Sequence, residues 1–370
     1  EDLDTAIKFN VYEDLSKVNE SDKYEYIYPD FRINKSLITS LDSIGSLNYQ
    51  VSGAQRKYET NKTEQLLIND FIFSSKSYFS KFGFKNDYDL SFKNTNKEGK
   101  NSSTYKDNLS SSFYSLLNFN SSIPLIKKTK NYEKEFIPKL SLFLSPNKSE
   151  NIIGLDRKID NINVFQKNRL GLSESLEGGQ SLTLGAEYNI NQINGSNILK
   201  INLAQIYRDN NDNNLPTTST MNNKISDLFG DVKLNTNKYL NFEYNFSLDN
   251  DLETLNYNMI KSTLSVNNFV TTFEFLEENN EIGNASYLLN ETSLALNSYS
   301  KILFRERKNK KTDLREFYNL MYQYENDCLV ASLEYNKDYY SDRDLKPSEE
   351  LFFSLTITPL STFNTPSLSK

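Results

Sequence analysis

No histidine occurs in the 370 residues, and Cys328 is the only thiol. Ser-His-Asp, Cys-His and His-ligated metal chemistry are therefore out of reach. One cysteine makes neither a CxxC redox pair nor a cysteine-rich zinc site. The 12 glycines form neither a P-loop nor a dinucleotide-binding fingerprint. What remains is adjacent carboxylates, Glu277-Glu278 and Glu349-Glu350, and the basic run Arg305–Lys311. Paired carboxylates can cleave glycosides, but these lie beside strand ends, where charged loop residues are the ordinary expectation. The basic run could touch anionic headgroups or sugar phosphates, although a solvated loop is the commoner fate of such a stretch. A net charge of −7 argues against a nucleic-acid partner. The residue types point away from an enzyme, and no cofactor is expected.

The elements that carry these groups are strands. Tyr318, Leu320, Tyr322 and Tyr324 alternate with Asn319, Met321, Gln323 and Glu325, and Leu329, Ala331, Leu333 and Tyr335 alternate with Val330, Ser332, Glu334 and Asn336. In the last run Leu351, Phe353, Leu355 and Ile357 face away from Phe352, Ser354, Thr356 and Thr358. Period-two alternation over eight to ten residues gives a strand one apolar and one polar face. Such strands average to a polar composition, which is why 37% hydrophobic residues and a mean hydropathy of −0.63 do not exclude a membrane protein. No run of 18 apolar residues exists to make a transmembrane helix. Aromatic content of 13%, from 24 Tyr and 24 Phe without Trp, suits interfacial girdles. Codon bias accounts for part of that excess but creates no alternation.

The same reading along the chain gives about 18 strands, an even number of the kind bacterial outer-membrane barrels use. A first strand covers Asp4–Tyr12. Tyr24, Tyr26 and Tyr28 open the second, with Pro29 at an edge or bulge. Leu47, Tyr49 and Val51 mark the third, Leu67, Phe71 and Phe73 the fourth, and Phe82, Phe84, Tyr88, Leu90 and Phe92 the fifth, its apolar face interrupted by Asn86. Phe113, Leu117 and Phe119 mark the sixth, and Leu140, Leu142 and Leu144 the seventh. Pro146–Gly179 is a long connection of the kind that is functional or disordered. Then follow Gln180–Ile190, Ile198–Arg208, a long loop Asp209–Lys224, and nine closely spaced strands between Leu228 and Leu360. Short and long links alternate: Glu325–Asp327 is short, Lys337–Glu349 long, Asn191–Asn197 short, Pro146–Gly179 long. The expected fold is an all-β, antiparallel transmembrane barrel forming one domain over residues 1–370, in which Ser354, Thr356, Glu334, Ser332, Gln323, Asn319, Glu187 and Thr183 face the lumen.

Two blocks carry a resemblance. Asn326-Asp327-Cys328-Leu329, Ser332-Leu333-Glu334-Tyr335, Asp342-Arg343-Asp344 and Pro347 resemble the C-terminal end of the LptD family of outer-membrane lipopolysaccharide-assembly proteins. Asn168-Arg169, Glu177-Gly178-Gly179 and Leu184-Gly185-Ala186-Glu187-Tyr188 are similar to a mid-barrel motif of that family, with Leu170, Leu172 and Ser173-Glu174 replacing its usual aromatic, Gly and Asp-Arg positions.

The resemblance implies a protein of the Gram-negative outer membrane that inserts lipopolysaccharide into the outer leaflet. The sugar would pass through a polar lumen and leave through a seam at the last strand, Glu350–Leu360, whose members are Leu351, Phe353, Leu355, Ile357 and Pro359. Pro359 lacks a backbone donor, which either loosens that seam or simply ends the strand. The resemblance further implies an LptE-like lipoprotein in the lumen and an LptA-like periplasmic bridge to an N-terminal jelly-roll domain. That domain and the first strands would precede this chain, which shows no signal peptide at Glu1. Cys328 would then form a disulfide to that domain; a small buried residue is the alternative. A general diffusion porin or other outer-membrane channel, and a secreted β-rich adhesin, are the other functional readings.

Overall fold

A computed structural model of the chain describes residues 3–15, 22–236, 239–279, 284–339 and 346–357, with the backbone of Ser361–Asn364 and Leu368–Ser369. Among these are 22 strands in one antiparallel sheet. They are β1 (Leu3–Glu13), β2 (Tyr24–Leu37), β3 (Gly45–Tyr58), β4 (Thr63–Ser75), β5 (Tyr78–Phe79), β6 (Lys85–Lys100), β7 (Ser110–Ser122), β8 (Leu125–Lys128), β9 (Tyr132–Ser145), β10 (Gly179–Gln192) and β11 (Asn197–Arg208). The second half holds β12 (Leu228–Thr236), β13 (Leu240–Leu248), β14 (Leu255–Val266), β15 (Phe269–Glu278), β16 (Ser286–Ala295), β17 (Ser300–Asn309), β18 (Arg315–Glu325), β19 (Leu329–Asp338), β20 (Ser348–Ile357), β21 (Ser361–Asn364) and β22 (Leu368–Ser369). Setting aside the short β5, β8, β21 and β22 leaves 18 long strands, the expected number.

Each long strand pairs with its neighbours in sequence. From β13 onward the pairing continues unbroken to β20. No pair joins β1 to β20 among the described residues. The backbone of β21 and β22 folds back along β20, Ile357 opposite Ser361 and Leu351 opposite Leu368. Pro29 sits at a register shift between Ile27 and Asp30, as a residue without an N–H requires. The fifth strand starts later than its aromatic pattern suggests and runs on to Lys100. Phe82 and Phe84 lie in a turn closed by N–H donation to Ser80 Oγ, with Gly83 at φ +83°, and pairing of β6 starts at Lys85.

Alternation sorts the sheet into two faces. Leu182, Leu184 and Tyr188 point one way while Ser181, Thr183, Glu187 and Asn189 point the other, and the register carries that division across the sheet. Leu184, Leu320, Leu333 and Phe273 stand 40–50% exposed on the apolar face. An apolar surface of this extent marks contact with hydrocarbon rather than water. The polar face is concave. The connection 146–178 reaches Asp89 on β6 through Lys167 (3.2 Å), Asp231 on β12 through Asn161 (2.5 Å) and Glu278 on β15 through Lys158 (3.7 Å). Strands so far apart in the sheet touch one loop because the sheet curls around it. Links alternate as expected: 146–178 and 209–227 lie at one end of the barrel, and 193–196 and 326–328 at the other.

This division makes a sharp prediction. An Arg at Leu320, on the hydrocarbon face, should cost about 2–4 kcal/mol near the membrane midplane. An Arg at the adjacent Asn319, which faces inward beside Glu334 and Asn336, should cost little. Urea unfolding in lipid bilayers compares the two; equal losses would refute the face assignment.

Candidate functional site

The lumen is not empty. Connection 146–178 and connection 209–227 fold into it and build an apolar core with the inward faces of β11 and β12. Ile152, Ile159, Val164, Leu170, Leu172, Leu215 and Met221 from the two connections pack on Ala204, Ile206 and Phe229. A composition this polar gave no hint of an internal core. Leu170 and Leu172, where the family block departs from its usual residues, are two of its members.

The residues of the middle block converge at the root of this plug. Arg169, 3% exposed, donates from Nε and Nη2 to the two oxygens of Glu177 at 2.8 and 2.6 Å. Its remaining donors reach Ser181 Oγ at 2.7 Å and Thr183 Oγ1 at 3.1 Å on β10, and its guanidinium lies 4.8 Å from the Phe143 ring centre. Arg208, at the end of β11, brings a second guanidinium 2.5 Å from Glu177 Oε1. Burial alone would raise the Glu177 carboxyl, but the two arginines outweigh it and hold it down at about 2. Asn168 closes the turn ahead of the lattice, donating to the Leu172 carbonyl at 2.8 Å and accepting the Leu172 N–H at 2.9 Å.

The two glycines serve different ends. Gly179 opens β10 at φ +78°, a conformation that favours glycine. Gly178 lies against the start of the same connection, where an added Cβ would stand 2.3 Å from Ser149 N and 2.4 Å from Lys148 C. Gly178→Ala should therefore push residues 147–149 away and cost about 1–3 kcal/mol of plug docking. Faster proteolysis within 146–178 would reveal it, whereas unchanged cleavage would show that the backbone yields freely.

A second set of contacts ties the plug to the opposite wall. Lys93, 6% exposed, pairs with Asp70 at 2.9 Å and donates to the Ser173 carbonyl at 2.8 Å. Thr95 donates to the Glu174 carbonyl at 2.6 Å, and Lys97 pairs with the Glu174 side chain at 2.9 Å. Tyr105 donates to Glu174 at 3.1 Å, and Tyr114 donates to Glu150. Sequence reasoning found Asn168, Arg169, Glu177, Gly178 and Gly179 but missed Arg208, Lys93, Thr95 and Lys97. Arg208 was findable: it lies on the polar face of β11 directly opposite Ser181. The wall lysines carry no local signal, because their partner is a loop some 80 residues away.

The C-terminal block is not brought to this site. Asp327 and Cys328 are exposed in the turn 326–328 at the opposite end of the barrel, so Cys328 precedes β19 and is a free, unburied thiol; its N–H donates to Asn326 Oδ1 at 3.0 Å. Pro347 is exposed just before β20. Leu351, Phe353, Leu355 and Ile357 line the outward face of β20. Asp342, Arg343, Asp344 and Pro359 lie outside the described residues. Glu334, Ser332, Gln323, Asn319, Ser354 and Thr356 share the inward face with Glu187 and Thr183, through the register of β18 to β20.

Among solved structures, the siderophore receptor PirA from Acinetobacter baumannii is similar over 97% of this chain and 69% of its own, at 8% identity and a TM-score of 0.44. A point mutant of the ferric enterobactin receptor PfeA from Pseudomonas aeruginosa is similar over 98% and 68%, at 12% identity and a TM-score of 0.45. Comparison with curated protein sequences gives no match. The family model for LptD, LPS transport system D, matches residues 23–325, which take in the plug, its buried lattice and most of the long strands. With that match spanning most of the chain, this outer-membrane β-barrel of a Gram-negative bacterium belongs to the LptD family of the lipopolysaccharide transport system.

Proposed function

We propose that the chain is the barrel of a translocon that places lipopolysaccharide in the outer leaflet, passing the glycan through its lumen and out sideways beside β20. The observation that carries this reading is the LptD match over a barrel whose inner face is polar and charged beside a self-made plug. Such a lumen offers water and hydrogen bonds to a sugar while the outer apolar face meets the lipid chains. In this mechanism an LptE-like lipoprotein supports the plug from within, and an LptA-like bridge delivers substrate to a periplasmic domain joined to this barrel. Cys328 is exposed on the short-turn end, which in this reading faces the periplasm, an oxidising compartment where a thiol can pair.

Mass spectrometry without reductant, on tagged protein extracted in detergent from native membranes, tests this directly. The expected result is a small co-purifying lipoprotein and Cys328 linked to a cysteine of a periplasmic domain. Bare trimeric barrels with a free Cys328 would replace the translocon by a porin.

A further inference from the structure

Away from the plug's apolar core, the lumen face carries a run of charges on adjacent strands, most of them in opposite-sign pairs, with Lys200 and Lys233 directly opposite each other at its middle. Glu187 lies between Lys139 and Lys200 at 2.5 and 3.3 Å. Lys233, Glu243, Lys261 and Glu274 stand directly opposite one another on the four consecutive strands β12 to β15, with ion pairs of 3.0 and 3.3 Å. Arg305 and Glu291 extend the series at 2.7 Å. The series sets five cations against four carboxylates, and its lysines are the more exposed partners. Lys200 is 38% exposed against 14% for Glu187, Lys233 46% against 32% for Glu243, and Lys261 44% against 16% for Glu274. The ammonium groups reach the lumen while the carboxylates lie beneath them.

Against the middle of this ladder the plug leaves a cavity of about 300 Å³ lined by Lys158, Asn161, Lys233, Glu243, Asn245 and Tyr257. That volume is at the lower end of small-molecule sites, about 300–1,000 Å³. It offers amides and charges for hydroxyl and anionic groups.

We propose that the Lys200–Lys233–Lys261 ladder and this cavity form a binding track for acidic sugars, whose phosphate or carboxylate substituents exchange along the exposed ammonium groups. The carboxylate beneath each lysine is part of the device. An unpaired lysine would hold an anion, whereas one already half-satisfied binds it weakly and releases it to the next. Passage requires sites that are multiple and individually weak. This inference rests on the lumen being the glycan's route and adds which chemistry the lumen recognises.

The test uses the protein with its native partners in detergent, and core oligosaccharide freed from its lipid. The oligosaccharide is titrated calorimetrically in three forms: intact, treated with phosphatase, and reduced at its carboxyl groups. The expected result is binding that weakens as salt rises and falls about 10-fold, a loss of about 1.4 kcal/mol, when the recognised substituent is removed. Which treatment causes the fall assigns phosphate or carboxylate. Lys200→Gln/Lys233→Gln/Lys261→Gln should lose as much. Exchanging Lys233→Glu with Glu243→Lys keeps the ion pair and the heat-modifiable barrel but turns a carboxylate toward the lumen, and should weaken binding too. Equal binding of intact and doubly treated oligosaccharide, or unchanged binding by the folded exchange variant, overturns the track. If wild type binds no oligosaccharide yet delivers lipopolysaccharide to the cell surface, the track fails and the translocon stands. If depletion of the wild type leaves surface delivery intact, the translocon itself fails.

Discussion

Replacing Arg169 by Ala should release the plug from the barrel wall. The change removes both guanidinium bonds to Glu177 and the donors to Ser181 and Thr183 in one step. It leaves a carboxylate that is 4% exposed with Arg208 as its remaining cationic partner. Breaking a buried pair by deleting one partner typically costs about 3–5 kcal/mol, most of it the stranding of the other charge. The loss should fall on docking of 146–178 rather than on the sheet, whose ladders do not involve the Arg169 side chain. Three readouts follow: rapid protease cleavage within 146–178, a larger and noisier conductance in planar bilayers, and an unchanged heat-modifiable band on gels. Arg169→Lys keeps a cation but loses the bidentate fork and should rescue only in part. If Arg169→Ala leaves the plug as protected as in wild type, the lattice is incidental and the apolar core alone holds the plug.

How much of this was legible in the sequence depends on the range of the interactions. The alternation at Tyr318–Tyr324 or Leu182–Tyr188 is local, set by the two-residue period of a strand, so faces and strand number could be read directly. Loop alternation was legible for the same reason, since each link lies between two readable strands. The fifth strand was begun too early because Phe82 and Phe84 keep the apolar rhythm while Ser80 and Gly83 turn the backbone. The plug was not legible. Ile152, Val164, Leu170 and Leu215 are scattered among polar residues, and only the curled wall brings Ala204, Ile206 and Phe229 against them. Inward Ile206 and Phe229 break the polar-in pattern of their strands. In a barrel that breach is itself a signal that something apolar sits inside. The middle block, known first by resemblance, acquires physical reasons: a turn closed by Asn168, a buried cation at Arg169 with its counter-charge at Glu177, and two glycines where backbone approach and φ demand them.

Acid should undock the same plug without any mutation. Glu177 is held at about 2 in the folded lumen against 4.5 in its ordinary state. Because the docked carboxyl binds a proton less readily than the released one, its contribution is complete above pH 4.5. It disappears as pH falls from 4.5 toward 2. The difference corresponds to about 3 kcal/mol, in the range expected for Arg169→Ala because both remove the same charge pairing from opposite sides. Limited proteolysis with an acid-active protease, or conductance across a pH series, should show the plug protected at neutral pH and progressively released below 4.5. Glu177→Gln supplies the control, since an amide cannot balance two guanidinium groups. It should behave at pH 7 as wild type does near pH 2, and should lose its dependence on pH within that window. Release of wild type and Glu177→Gln along the same acid profile would show that Glu177 is not the group through which acid acts. Persistence of the docked plug in wild type at pH 2 would mean that the apolar core outweighs the lattice.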